Sequence, residues 1–328
     1  MRVLVTGGAG YIGSFVVDQL ICSGHDVHVL DDLSAGRRGA VRPESGLSVT
    51  DIRDTASVQR VFSNARPDAV IHLAALKSVS ESFRAPGHYQ DVNVAGTESV
   101  LEAAAHAGIG ALVFSSTCGV YGNADYPTPE SHPVRPLNPY AQSKADAETA
   151  VQRFSQATGC RSAILRFFNV SGAQPERALG HALDDEQLIP RVLDSVLNHA
   201  ATVTINGNDY PTHDGTPVRD FVHVADVAAA HLDVMSLLIA SRWPGGTLNV
   251  GRGQGSSVKE IVEMIRFVAV PHLSVRLGPR RPGDPAAAVA DVSRILEVAG
   301  WRATRDLRSI VSSAWAWHSG ESLRVHGA

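Results

Sequence analysis

Short apolar runs rich in β-branched residues alternate, in the first half of the chain, with longer stretches whose apolar positions recur every three or four residues. VLVTG (3–7) is the first such run. After a glycine-rich turn, YIGSFVVDQLICSG sets Ile12, Val16, Leu20 and Ile21 on one helical face and stops at Gly24. DVHVLDD follows as a second strand. The alternation continues with a helix near 54–65, the strand DAVIHLAA, a helix over 92–107, the strand ALVFSS, a helix opening at PYAQSK, and the strand SAILRFFNV. Strands alternating with helices predict an α/β fold with a doubly wound parallel sheet.

The second half is less regular. Segments 171–185 and 206–219 are rich in Gly, Asp, Pro and His and read as loops, while GTLNVG (246–251) reads as one more strand of the same sheet. From about 253 the pattern gives a helix, then HLSVRLGPRRPGDP, then further helices. We therefore expect a dinucleotide-type domain over 1–168 plus about 221–252. A smaller α/β lobe over 169–220 and 253–328 would close a cleft beyond the carboxyl ends of the strands, where ligands of such sheets bind.

Composition removes several classes of function. With 328 residues, 44% of them hydrophobic, the chain can bury a sizeable core. Its 29 basic and 33 acidic side chains are nearly balanced, so there is no electrostatic footprint for a nucleic acid. No apolar stretch approaches a membrane span, and the N-terminal apolar run is too short for a signal peptide. The three cysteines, Cys22, Cys118 and Cys160, are scattered in neither a disulfide nor a metal spacing, which fits a reducing cytoplasm. None of the 14 histidines lies in a metal-binding pattern, and His72, inside AVIHLAAL, reads as a core histidine. No metal site is expected.

Two local patterns carry chemistry. GGAGYIG spaces Gly7, Gly10 and Gly13 between a strand and a helix. Glycines there permit a tight turn and close backbone approach, and the free N–H groups at the helix start suit a pyrophosphate. Asp31, ending the second strand, would accept hydrogen bonds from the adenosine ribose and repel a 2′-phosphate, favouring NAD over NADP. Arg37 and Arg38 follow closely and speak for the other cofactor. Asp51 and Ile52, at the end of the next strand, would sit near the adenine. In PYAQSK, Tyr140 and Lys144 stand one helical turn apart on one face, so both could address one object. VFSSTCGVYG ends a strand with Thr117 upstream of them.

A strand-end hydroxyl followed by Tyr-x-x-x-Lys on the next helix resembles the short-chain dehydrogenase/reductase family. The opening TGGAGYIGS and the chain length are similar to its extended, nucleotide-sugar branch. HLAALKSVSES, NVAGT, LRFFNVSGA, GNDYPTHDGTPVRDFVHVAD and PRRPGD extend the likeness, along nearly the whole chain, to the UDP-glucose 4-epimerase family. That resemblance implies a Rossmann-type fold, tightly bound NAD and inversion of a UDP-sugar at carbon 4 through a transient ketone. It makes Tyr140 the base, Lys144 its tuning partner and a ligand of the nicotinamide ribose, and Thr117 a hydrogen-bond partner of the 4-hydroxyl. To work near neutrality the phenol must fall roughly three units, about 4 kcal/mol, with Lys144 and the nicotinamide ring as sources. Tyr11, Ile12, Leu73, Ala74, Lys77, Asn93 and Phe168 match cofactor-contacting positions. Lys77, Asn169, Gln187, Leu188, Arg219, Arg281, Asp284 and Ala288 match positions on the UDP-sugar.

Some positions depart from the family's pattern. Phe167 stands where tyrosine is frequent, Asn206 where an aromatic precedes Gly-Asn-Asp, and Gln187 where asparagine is frequent. Cys118 has no apparent partner and reads as a small strand-end residue. A 4,6-dehydratase would carry Asp-Glu after Thr117, where this chain has Cys118 and Gly119. A 4-epimerase of UDP-glucuronate or a UDP-pentose stays open, and a non-catalytic NAD-binding sensor should lack the Tyr140–Lys144 pair. The resemblance also implies a homodimer through helices near 92–107 and 140–157, the second offering Ala147, Ala150 and Val151 as a small-residue face. Ala288 leaves room for a sugar N-acetyl group, so UDP-N-acetylglucosamine is a further expected substrate.

Overall fold

The structure is a computed structural model describing residues 1–181, 187–197, 202–280 and 284–320. Seven strands form the main sheet: β1 (Arg2–Thr6), β2 (Asp26–Asp31), β3 (Gly46–Val49), β4 (Ala69–His72), β5 (Ala111–Thr117), β6 (Arg161–Phe167) and β10 (Gly245–Val250). Their order is β10-β6-β5-β4-β1-β2-β3, and every pairing is parallel. The order reverses at β1 and β4, which opens a crevice at the carboxyl edge. The segment GTLNVG supplies β10, far along the chain from its neighbour β6.

Successive residues of a strand face opposite sides of its sheet. Val3 and Val5 of β1 join a core built on α1 (Tyr11–Cys22) and α8 (Val224–Ile239). Leu4 joins the opposite core, built on α2 (Thr55–Ala65), α5 (Gly96–Ala107) and α6 (Pro139–Thr158). The helix expected over 92–107 starts earlier. After α3 (Val79–Arg84), α4 (Pro86–Gln90) runs through one wide π turn, Asp91–Ala95, into α5. Asn93 in that turn is buried. On α6, Ala147 and Val151 lie in the chain's own core with Ala150 packed against it. The face expected to meet a partner is therefore occupied within the chain.

The irregular second half builds two small sheets. β9 (Val218–His223) lies between β11 (Gly255–Ser257) and β13 (Ala287–Ala288), and also pairs with β7 (Asn169–Ser171). β8 (Thr202–Asn206) pairs with β12 (Ser274–Gly278). A separate core gathers α7 (Leu188–Leu197), α9 (Val258–Val268) and α11 (Leu307–His318). β9 reaches both cores, with Phe221 in this one and Val222 in the first. Ile295 on α10 (Ser293–Ala299) and Trp301 also pack into the first core.

Candidate active site

The carboxyl ends of β1 and β2 carry the glycine turn and Asp31. Gly7 has φ +71° and lies so near the chain after β4 that a Cβ there would stand 2.6 Å from the Ala74 amide nitrogen. A Cβ on Gly13 would fall 2.0 Å from the Gly7 carbonyl oxygen. Gly10 differs, since a Cβ there would meet only that carbonyl, at 3.2 Å. Gly10 caps α1 without a side-chain bond and no acid lies in the first turn, so no side chain of that turn offsets the dipole's positive end. Leu73 donates its N–H to Thr6 O at 3.0 Å, which ties the β4 exit to this turn.

Asp31 is buried and accepts N–H groups from Ala9, at 2.9 Å, and Leu33, at 2.8 Å. Burial raises its pKa while those two donors oppose the shift. Arg37 turns away from it and donates to Gly180 O at 3.3 Å. Asp51 is held by the Arg53 side chain, whose hydrogen bonds push the carboxyl pKa down. Ile52 is buried beneath Gly96. These groups bring a helix start, a close-approach turn and a carboxylate at the second strand's end together at one end of the sheet.

α6 opens on Asn138, whose side chain accepts the Ala141 N–H at 2.8 Å, with Pro139 in the first turn. This cap sets Tyr140 beside the end of β5. Burial pushes the phenol up to about 12, while a hydrogen bond with Thr117 pulls the other way. Thr117 Oγ1 also accepts the Gly119 N–H at 3.1 Å. Lys144 is buried, and burial brings its pKa down to about 7 against the attraction of Glu148. Its Nζ stands 4.3 Å from the Phe114 ring centre. Burial thus favours the neutral phenol and the neutral amine alike.

Asn93 accepts the Leu76 N–H at 2.7 Å and donates to Ser143 Oγ at 2.9 Å, and Ser143 donates to Tyr140 O at 2.8 Å. The wide turn before α5 therefore positions the first turn of α6. Lys77 follows Leu76 on the exposed loop before α3. Glu148, one further turn along α6, is buried and bonded by Ser116 at 2.5 Å and by Arg166 at 2.9 and 2.6 Å. Arg166 lies over the Tyr121 ring, and the Tyr121 hydroxyl donates to Asn249 at 2.7 Å. Sequence reading missed Glu148 and Arg166. Continuing the four-residue register from Tyr140 through Lys144 reaches Glu148, but nothing local points to Arg166.

The second lobe completes the edge. Phe168 is buried in a cluster that includes Tyr121 and takes in the partly buried Cys118 and Ala288. Asn169 begins β7, and Gln187 and Leu188 start α7 at the lobe's core. Arg219 on β9 is in register with Ala288 on β13 and donates to Asp284 at 2.5 Å. Its charge reaches Cys118, whose thiol burial pushes up to about 12, so the cysteine stays protonated. Asp220 is fully buried and accepts N–H groups from Arg252, Gly253 and Ala290, which joins β9 to the loops on both sides. Arg281 lies outside the described residues.

Among the described residues no cluster of His, Cys, Asp and Glu could hold a metal. His72 is bonded by Thr6 and Thr97 and is brought down to about 3 by burial, so it is a neutral core residue. Two cavities, about 480 and 710 Å³, lie elsewhere, one against Arg2, His28 and Arg66 and the other against Lys259, Phe267 and Arg308. Cavity size does not locate the chemistry here.

Residues 3–251 match the model of the NAD dependent epimerase/dehydratase family. The chain belongs to that family. Within it, the chain is 41% identical over 323 residues to the UDP-glucose 4-epimerase of Rhizobium meliloti, covering 97% of each chain. A crystal structure of UDP-glucose-4-epimerase from Stenotrophomonas maltophila, with bound NAD and formylated UDP-arabinopyranose, superposes with a TM-score of 0.94 at 37% identity over 99% of both chains. The UDP-Glc/GlcNAc 4-epimerase of Campylobacter jejuni superposes with a TM-score of 0.85 at 34% identity, over 97% of this chain and 99% of that one. In this chain the Tyr140 turn and the glycine turn both lie at the carboxyl ends of main-sheet strands.

Proposed function

We propose that this protein interconverts UDP-glucose and UDP-galactose by inverting carbon 4 of the sugar through a transient 4-keto sugar, with NAD held throughout. The reading rests most on Tyr140, one turn ahead of Lys144 and hydrogen-bonded to Thr117 at the end of β5. The likeness to UDP-glucose 4-epimerases over nearly the whole chain supports it. Bound NAD would supply a hydride acceptor for carbon 4 and, in its reduced form, the hydride donor for the opposite face. Tyr140 takes the proton of the 4-hydroxyl and gives it back, so nothing is consumed. Thr117 orients that hydroxyl. Lys144 and the cofactor's positive ring favour the phenolate over the phenol.

In the same reading Gly7, Gly10, Tyr11, Ile12 and Gly13 receive the diphosphate of NAD, Asp31 its ribose, and Asp51 and Ile52 its adenine end. Leu73, Ala74, Lys77, Asn93 and Phe168 line the path to the nicotinamide. Residues 1–168 and about 221–252 form the cofactor domain, and the remainder grips the UDP-sugar. There Asn169, Gln187, Leu188, Asp284 and the arginines Arg219 and Arg281 hold substrate, since guanidinium forks suit diphosphate oxygens. Free cysteines at 22, 118 and 160 fit a cytoplasmic setting. Purified protein given UDP-galactose without added NAD should produce UDP-glucose. Conversion of UDP-glucuronate or a UDP-pentose in its place would move the assignment to those sugars, and no conversion of any would overturn it.

Ala288 supports a broader substrate range. It stands beside Arg219 in register and near Phe168 and Cys118, and its methyl group fills little space. We expect UDP-N-acetylglucosamine to be epimerised too. Ala288→Tyr should reduce that activity by about tenfold or more while sparing UDP-galactose, because overfilling a packed pocket costs about 1–3 kcal/mol. Equal loss on both sugars, measured by chromatography of the products, would place Ala288 outside the N-acetyl pocket.

A further inference from the structure

The glycine turn is gripped from its outer side by a segment that the cofactor cradle does not itself require. The Tyr11 hydroxyl donates to Gly172 O at 2.6 Å. Its ring lies 4.3 Å from that of His181, centre to centre. The His181 carbonyl accepts the Trp317 indole N–H at 2.7 Å. Arg37 ties in the second side of the turn. Its backbone N–H donates to Ala9 O at 2.9 Å, its side chain reaches Gly180 O, and its guanidinium stands 5.7 Å from the centre of the Trp317 ring.

Further contacts anchor the segment at its middle and its start. Arg177 donates to Asp18 at 2.7 Å and to Cys22 Sγ at 3.1 Å. Asp18 is buried on α1 and is also paired with Arg42 at 3.3 Å. Ala173 donates its N–H to Ser313 Oγ on α11 at 3.1 Å. Segment 172–181 is thus a strap fastened to α1 at one side and to the last helix at the other, with the glycine turn beneath it.

We propose that this strap is a clasp that keeps NAD from leaving. The inference rests on the proposed NAD site and adds to it residues that need not touch the cofactor. The turn lies against the chain after β4, where even a Cβ on Gly7 would stand 2.6 Å from the Ala74 amide nitrogen. On its outer side the turn is held through Tyr11 and through the Ala9 carbonyl. A diphosphate bound on this turn would leave more readily if the turn could relax, and the clasp opposes that movement. An enzyme that returns its hydride in every cycle gains nothing from exchanging its cofactor, so slow release suits the chemistry. Arg177 and Trp317 are positioning residues in this scheme.

The test uses the intact holoprotein and the double variant Arg177→Ala/Trp317→Phe, which removes the Asp18 contact and the indole N–H. Each is incubated with excess isotopically labelled NAD well below its unfolding temperature, and label exchange is followed by gel filtration. The variant should exchange at least about tenfold faster, since two hydrogen-bond-sized contacts are lost. Turnover per NAD-loaded site should remain that of the wild type. Unchanged exchange, with or without a lower melting temperature, overturns the clasp and leaves these contacts a purely structural role. Wild-type protein that never carries NAD overturns both the clasp and the function it rests on, which separates the two failures. Should the double variant fail to fold, Gly180→Ala carries the same test, because a Cβ there would lie 2.3 Å from the Trp317 ring and displace it.

Discussion

Tyr140 and Lys144 are shifted in opposite directions by one cause. Burial disfavours charge, so it raises the phenol to about 12 and lowers the ammonium to about 7. Both shifts favour neutral groups, and Thr117 and Glu148 only partly offset them. If Tyr140 is the base proposed above, positive charge entering with a cofactor would oppose the effect of burial. Tyr140→Phe should fold with stability within about 1 kcal/mol of wild type, since one buried hydroxyl is lost and the edge-on contact with Tyr89 remains. It should keep NAD and lose roughly a hundredfold to ten-thousandfold in turnover. Near wild-type turnover in a steady-state assay would mean that another group takes the proton.

Among the elements, α6 carries the site and two contacts fix its place. At its start, Asn138 caps it and Ser143 is tied through Asn93 to the chain after β4. Further along, Glu148 is bound to Ser116 on β5 and Arg166 on β6, which pins the helix to the strand that bears Thr117. Arg166 is buried on both sides of that pair, between Glu148 and the Tyr121 ring. Glu148→Gln leaves its charge without a counter-ion and should cost about 3–5 kcal/mol. Denaturant unfolding measures this, and a loss under about 1 kcal/mol would show that the ion pair is not what anchors the helix. The start of α6 was readable at PYAQSK, whereas its Asn138 cap was seen only in the structure. The ion pair was not readable, because its partners are on different elements and become neighbours only when the sheet forms.

For the whole molecule, β9 reaches two cores, and segment 172–181 ties α1 to α11. A homodimer through α5 and α6 remains a proposal. The small-residue face of α6 is used within the chain, so a partner would meet its outer side, where α3 packs alongside and presents Val79 and Phe83, the latter 63% exposed. An exposed aromatic beside the proposed interface is the kind of residue association covers. Light scattering at micromolar concentration should return twice the chain mass. A monomeric mass there would remove the dimer and leave Phe83 a solvent-facing residue.

The sequence by itself determined what depends on near neighbours. Periodicity placed the alternating strands and helices of the main sheet. The spacing of Gly7, Gly10 and Gly13 marked the turn, and Tyr140 and Lys144 declared themselves by standing one turn apart. The wide turn that buries Asn93, the inward use of Ala147 and Val151, and the pairing of Arg219 with Asp284 were decided only by the tertiary structure. So were the register that sets Ala288 beside Arg219, the buried Glu148–Arg166 pair, and the strap over Tyr11. In each of these the partners lie on different elements, or a helix face had to choose between two surfaces. The physical reason is the range of the forces involved. Backbone sterics and helical geometry act over a few residues, whereas burial and hydrogen-bond satisfaction are settled between groups that only the closed fold brings together.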